Sequence, residues 1–338
     1  MSLNRSVVFT APGRIELQES PSPTLRPDEV LVETICSAIS PGTEKLIYQG
    51  RFPKNINERH DSISSSINYP ICYGYANVGR IKQVGNQVNA NFKDQMVFAL
   101  QPHTSLYSTR PEQLHLVPGD VAPEDACLLP FVETAVNTVQ DAAPLVGEKA
   151  LVLGQGIIGL LATAILSRFP LDKLVTTDYY PIRRKASGSI SPQVSVALDP
   201  NQDDYLVQIE SYLKNGADLT LECTGNPTAL NDAIRLTAYS GRVIIASWYG
   251  DNSVPLDLGS TFHRSRIKLI SSQVSTIAPE LSGRWDKERR FEFAWKLLRE
   301  IKPGRWITHR FKQQDCSQAY ELICNNPDET IQVVLTYD

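Results

Sequence analysis

The 338-residue chain lacks a charge excess of either sign: 33 Lys and Arg stand against 37 Asp and Glu, a net charge of −4. Without a basic surplus there is no electrostatic footing for gripping a polyanion, so nucleic acid is excluded as the expected partner. No apolar run approaches the roughly 20 residues that span a bilayer, and the opening MSLNRSVVFTAPGRIEL has no charged-then-apolar signal layout. A soluble, cytoplasmic protein without a membrane partner is expected. Cys-x-x-Cys spacing is missing as well. Cys36, Cys72, Cys127, Cys223, Cys316 and Cys324 are scattered, which indicates neither a zinc knuckle nor a redox pair and reads as reduced, mostly buried thiols. There is no internal repeat and no low-complexity tract. What is present is ordinary for a globular protein, 42% hydrophobic and 21% charged residues, and at roughly 150 residues per domain the length points to two domains.

The first third reads as short strands, among them Val30–Ile35, Val78–Val84, Met96–Leu100 and Gln113–Val117, separated by Pro, Gly and Asn turn residues. Such runs predict a β-rich unit. From Pro123 a helical stretch is expected to about Asp141, and after Gly147 buried strands alternate with helices. The strands are Ala150–Leu153, Leu174–Asp178, Val194–Ala197, Leu219–Glu222 and Arg242–Ala246, with helices near 157–168, from 181, near 203–214 and near 227–237. That rhythm predicts βαβ units on a doubly wound parallel sheet. The tail adds Lys268–Gln273, helices near 286–301 and 315–325, and a last strand Gln332–Thr336, and is expected to return to the β-rich domain. The fold class is therefore α/β, with a β-rich domain of residues 1–125 and 274–338 interrupted by a sheet domain of 126–273. Residues 56–68, with four serines and no periodicity, read as an exposed, mobile loop.

Gly154-Gln-Gly156-Ile157-Ile158-Gly159 follows a four-residue apolar strand and opens an apolar helix. In that context the glycine spacing is a dinucleotide fingerprint. Gly154 permits the tight turn, Gly156 the approach of backbone N–H groups at Ile157 and Ile158 to a pyrophosphate, and Gly159 close helix–strand packing. Asp178 ends the next strand, where a carboxylate accepts the ribose hydroxyls of NAD and repels the 2′-phosphate of NADP. Arg183 and Arg184 follow, suited to pairing with such a phosphate, stacking on adenine or facing solvent. NAD is the expected cofactor, with NADP open. Cys223-Thr224-Gly225 ends the fourth of these strands and Ser247-Trp248 follows the fifth, and both are candidates to line the cofactor or simply to turn the chain.

Val30-Leu-Val32, Ser37-Ala-Ile-Ser-Pro-Gly-Thr-Glu44, Tyr69-Pro-Ile-Cys-Tyr-Gly-Tyr-Ala-Asn-Val-Gly-Arg80, Leu129-Pro-Phe-Val-Glu-Thr-Ala135 and Glu222-Cys-Thr-Gly225 together resemble a medium-chain dehydrogenase/reductase over essentially the whole chain. Ile39–Leu46 and Gly74-Tyr75 look most similar to the zinc-independent branch that contains bacteriochlorophyllide dehydrogenase. The resemblance implies a GroES-like catalytic domain, a Rossmann domain, a small-molecule substrate and a homodimer formed near 251–273.

The family's catalytic zinc positions read Ser40, Tyr75, Ala76 and Pro130 here, so zinc is not expected. The four-cysteine structural zinc lobe is missing too. By the resemblance Thr43 matches the proton-relay hydroxyl, Glu44 the carboxylate that orients it or serves as base, and Thr134 a contact to the nicotinamide face. Tyr75 replaces a zinc-binding His, as phenol donor or as filler, and Ser40 replaces a zinc-binding Cys, as catalyst or packing residue. His263, His309, Trp248 and Trp285 are further residues for either the site or the core. The expected activity is hydride transfer between a nicotinamide cofactor and a secondary alcohol or ketone. An NADPH-dependent quinone or enone reductase and a non-catalytic dinucleotide-binding protein are the alternatives.

Overall fold

A computed structural model describes residues 3–52 and 68–337. The expected loop over 56–68 lies outside them apart from Asn68. Contacts divide the chain into two units, one running up to Pro130 and resuming at Leu298, the other spanning Phe131–Leu297.

In the first unit Leu3–Ala11 and Arg14–Pro21 form an antiparallel hairpin, with Ile71–Cys72 on its other side. A second, seven-stranded sheet runs in the order Ile307–Lys312, Gln332–Thr336, Val30–Ala38, Asn77–Val84, Met96–Ala99, His115–Leu116, with Leu106–Thr109 also pairing Val30–Ala38. The strand Gln332–Thr336 pairs directly with Val30–Ala38, Val334 opposite Ala38. Alternating apolar residues of these strands bury Val30, Val32, Ile81, Val97, Ala99 and Tyr107 in one cluster, the pattern of a sheet packed on one face.

The second unit holds a six-stranded parallel sheet in the order Val194–Leu198, Lys173–Thr177, Lys149–Leu153, Ala217–Glu222, Thr237–Ile245, Lys268–Ser271. Counting from Lys149–Leu153 this is the order 3-2-1-4-5-6, whose direction reverses between the first and fourth strands. The helix Ile157–Leu166 is apolar all round and buried at nine positions, as a helix lying against the sheet beneath neighbouring elements must be. The mixed α/β architecture, a sheet-rich domain plus a parallel-sheet domain, is the one expected.

Three expectations are corrected. The helical stretch from Pro123 is two helices, Pro123–Ala126 and Leu129–Ala142. The strand over 113–117 shrinks to His115–Leu116, because Pro111 opens a 3-10 turn that takes in Gln113. The return to the first unit falls at Leu298 and not at 274. Arg290, in the helix Lys287–Ile301, is fully buried and bonds Glu133, Asn137 and the carbonyls of Val274 and Thr276, which ties the intervening residues to the second unit.

Candidate active site

In the first unit the chain leaves Val30–Ala38 through Ile39–Gly42 and enters the short helix Thr43–Tyr48. Glu44 lies in the first turn and folds back on the loop. The Ser40 N–H donates to Glu44 Oε1 at 2.8 Å while the Glu44 N–H donates to the Ser40 carbonyl at 3.1 Å, a reciprocal closure like that of a capping box. The Thr43 N–H donates to Ser40 Oγ at 3.3 Å, and the Tyr75 phenol donates to the same oxygen at 2.7 Å. Ser40, Thr43, Glu44 and Tyr75 are thus brought together. Burial pushes the Tyr75 phenol up to about 12, with hydrogen bonds to Ser40 and Thr43 opposing the rise and the Glu44 charge adding to it. At neutral pH this phenol is a donor.

Sequence reasoning missed most of what surrounds Glu44. Its carboxylate is fully buried, and a buried carboxylate requires donors. Oε2 receives the His103 Nε2–H at 2.8 Å and the Tyr320 hydroxyl. On its other side His103 Nδ1 lies 2.6 Å from Ser37 Oγ, which is 2.8 Å from the Tyr337 hydroxyl. The Tyr320 and Tyr337 phenols are both pushed well up, first by burial. The only signal for His103 was its place in Gln101-Pro-His-Thr104, ahead of a strand. Gly74 records its presence: at φ +129°, a Cβ added there would lie 2.9 Å from His103 Cδ2 and 3.0 Å from Nε2. His309 stacks on Phe311, with a buried Nδ1 that has no hydrogen-bond partner among the described residues.

In the second unit the glycine turn joins the strand Lys149–Leu153 to the helix Ile157–Leu166. Gly154, at φ +85°, presses against the neighbouring strand end, where its Cβ would lie 2.8 Å from Cys223 O and Thr224 Cα. A Cβ on Gly159 would fall 1.9 Å from Gly154 O. At Gly156, which caps the helix Ile157–Leu166, a Cβ would meet only Arg183 Nη1 at 4.0 Å. The turn is closed where the helix packs and open where Gly156 faces out. Ile157 starts the helix inside the core and Ile158 follows, half-buried.

Asp178 is 6% exposed, and its carboxylate receives the Gln155 N–H at 2.7 Å and the Tyr180 N–H at 2.8 Å. Arg183 Nη1 lies 3.9 Å from Asp178 Oδ2, and its guanidinium sits over the Tyr180 ring at 4.9 Å. Arg184 is committed to Asp199 at 2.9 Å and to the carbonyls of Asp178 and Tyr179. Beside this edge, buried Glu222 receives the Thr224 N–H at 2.7 Å, the Thr224 hydroxyl and the Tyr249 hydroxyl. The Gly225 N–H donates to Ser247 Oγ at 2.9 Å. Cys223, Thr224, Gly225 and Ser247 therefore form one hydrogen-bonded edge at the carboxyl ends of two adjacent strands, with half-buried Trp248 next to it; Glu222 and Tyr249 were not anticipated. Burial pushes the Cys223 thiol well up, so it is no thiolate nucleophile. Thr134 is half-buried in the helix Leu129–Ala142, its carbonyl receiving the Thr138 hydroxyl at 2.9 Å. His263 is exposed, and Trp285 meets Phe293 edge-to-face and lies beneath the Arg289 guanidinium.

Residues 158–288 match the family described as zinc-binding dehydrogenase. The matched stretch contains none of Ser40, Tyr75, Ala76 and Pro130. Among curated proteins the chain is similar to sorbitol dehydrogenase of Bacillus subtilis, 22% identical over 75% of this chain and 78% of that one. It is also similar to L-threonine 3-dehydrogenase of Pyrococcus horikoshii, 24% identical over 94% of each. Two solved structures share the fold. One is a zinc-binding-type dehydrogenase of Sinorhizobium meliloti bound to NADP, at TM-score 0.76 and 16% identity over 99% of this chain and 100% of that one. The other is an alcohol dehydrogenase of Escherichia coli complexed with NADH, at TM-score 0.78 and 19% identity over the same shares. Strand order and glycine turn agree with these likenesses, and the chain is similar in fold and sequence to the alcohol-dehydrogenase-like medium-chain dehydrogenases/reductases.

Proposed function

We propose that this chain is an NAD-dependent oxidoreductase that interconverts a secondary alcohol, of polyol or cyclitol type, and its ketone, using protein hydroxyls in place of a catalytic zinc. The observation that carries the reading is the glycine turn: open at Gly156, closed at Gly154 and Gly159, and set beside the Asp178 carboxylate. That geometry suits a pyrophosphate at the start of the helix Ile157–Leu166 and a ribose at Asp178. NAD, when bound, takes up or returns the hydride at the nicotinamide ring. Cys223, Thr224, Gly225, Ser247, Trp248 and Thr134 are the residues assigned to hold it, with Arg183 flanking the adenosine side. A carboxylate at the strand end disfavours a 2′-phosphate. Arg184 does not offset it, being held by Asp199.

Zinc does not fit the donor set. Ser40 and Tyr75 hydroxyls are weak zinc donors and are bonded to each other, Ala76 has no donor atom, and among the described residues no three His, Cys, Asp or Glu side chains gather as ligands. The protein itself must then steady an oxyanion and move a proton. Ser40 Oγ accepts from both Tyr75 and the Thr43 N–H, which polarises its own O–H toward the substrate oxygen. Tyr75 stays protonated and reinforces that polarity. Thr43 passes the carbinol proton on to water. Glu44, sealed from solvent, positions the loop and does not act as base. The names of the relatives support alcohols and polyols as the substrate class.

Fluorescence titration with NADH and NADPH tests the cofactor half of the reading. NADH is expected to bind at least about tenfold tighter, a difference of roughly 1.4 kcal/mol. Equal or tighter binding of NADPH would overturn the Asp178 argument and favour the reductase.

A further inference from the structure

Ser37, His103 and Glu44 have the connectivity of a nucleophilic triad, with 2.6 Å from hydroxyl to ring and 2.8 Å from ring to carboxylate. Burial decides against that chemistry. Ser37, His103 and Glu44 are each 0% exposed, so no substrate carbonyl reaches the hydroxyl. A carboxylate only accepts, so Nε2 carries the proton shared with Glu44, and in the neutral ring Nδ1 accepts from Ser37. The ring is thereby fixed in one orientation.

Where that ring lies is more informative than what it bonds. One edge holds the carboxylate of Glu44, whose other oxygen grips the Ser40 N–H. The same edge lies against Gly74, so close that a Cβ there would be 2.9 Å from the ring, and Gly74 directly precedes Tyr75. His103 therefore lies against the strand entry carrying Tyr75 and reaches the loop carrying Ser40 through the Glu44 carboxylate. Tyr320 backs the same carboxylate, and the His103 N–H and C=O are held by Tyr73 and Val7.

We infer that His103 is a positioning residue, a buried wedge that sets the separation of Ser40 and Tyr75 and so the aim of the hydroxyl pair on the substrate oxygen. The inference rests on the proposed function, in which that pair replaces the metal. An apolar side chain of similar bulk at 103 leaves Glu44 short of a donor and so breaks the tie between the two segments. Glutamine, which can present an N–H near the position of Nε2, preserves the contact.

The test is a double-mutant cycle on NAD reduction, using the fastest of sorbitol, 2,3-butanediol and cyclohexanol. His103→Leu is expected to lower kcat by about tenfold or more, with KM and NADH affinity within about threefold, and His103→Gln to recover most of the loss. In a Tyr75→Phe background His103→Leu should cost less than about twofold, because the two act through one hydrogen bond. Multiplying effects, or a His103→Gln variant as slow as His103→Leu, would overturn the inference. A Tyr75→Phe variant with unchanged kcat would instead overturn the proposed role of the hydroxyl pair.

Discussion

Two glycines three residues apart carry opposite obligations. The Cβ of an alanine at 159 would sit 1.9 Å from Gly154 O, inside any permitted contact, so the helix must move off the strand. Gly159→Ala should lose stability by about 1–3 kcal/mol or more, as overpacking does, read as a fall in urea midpoint. Gly156 has φ −66° and only a distant guanidinium beyond its missing Cβ. Gly156→Ala should keep the wild-type midpoint and lose NADH affinity by about tenfold or more, since the added methyl occupies the space a pyrophosphate needs. Equal midpoints for the two variants, or unaltered NADH binding by Gly156→Ala, would contradict the account. The turn itself was legible because strand, glycine spacing and helix are contiguous. The demand on Gly74 was not, since it is imposed by His103 from a separate loop.

Between elements, the helix Leu129–Ala142 and the helix Lys287–Ile301 are joined by charge as well as by packing. Arg290 is 0% exposed, donating to Glu133 at 3.0 Å, to Asn137 and to the carbonyls of Val274 and Thr276. Lys287 adds a second cation to Glu133 at 2.6 Å. Removing one partner of a buried pair leaves the other uncompensated, so Arg290→Met should cost roughly 3–5 kcal/mol, and Arg290→Met with Glu133→Leu distinctly less. Urea unfolding of both variants decides it, and a double variant as unstable as the single would contradict the pairing. The elements themselves were legible from apolar runs and turn residues, and the sheet strands fell within a few residues of expectation. Arg290 was not, because Lys287-Glu-Arg-Arg-Phe reads as a solvated helix face and only the packing selects which arginine turns inward. The same limit hid the partners of Glu44, which come from 59 and 276 positions away.

For the whole molecule, the combination of a sheet-rich part with a parallel-sheet part, and the glycine spacing between strand and helix, were legible in the sequence. What the structure adds is that Ser40, Thr43, Glu44 and Tyr75 belong to one hydrogen-bonded set built on a sealed carboxylate. In the proposed function the two units contribute separately, the parallel-sheet unit a dinucleotide turn and the β-rich unit hydroxyls polarised by buried groups. The central claim of the proposed function is that these hydroxyls perform what zinc performs in zinc-dependent dehydrogenases. The most direct measurement is the rate of alcohol-dependent NAD reduction before and after exhaustive dialysis against 2,6-pyridinedicarboxylate, with zinc content determined on the same samples. The account predicts an unchanged rate at far less than one zinc per chain. A rate that is lost on dialysis and restored by added zinc would contradict it.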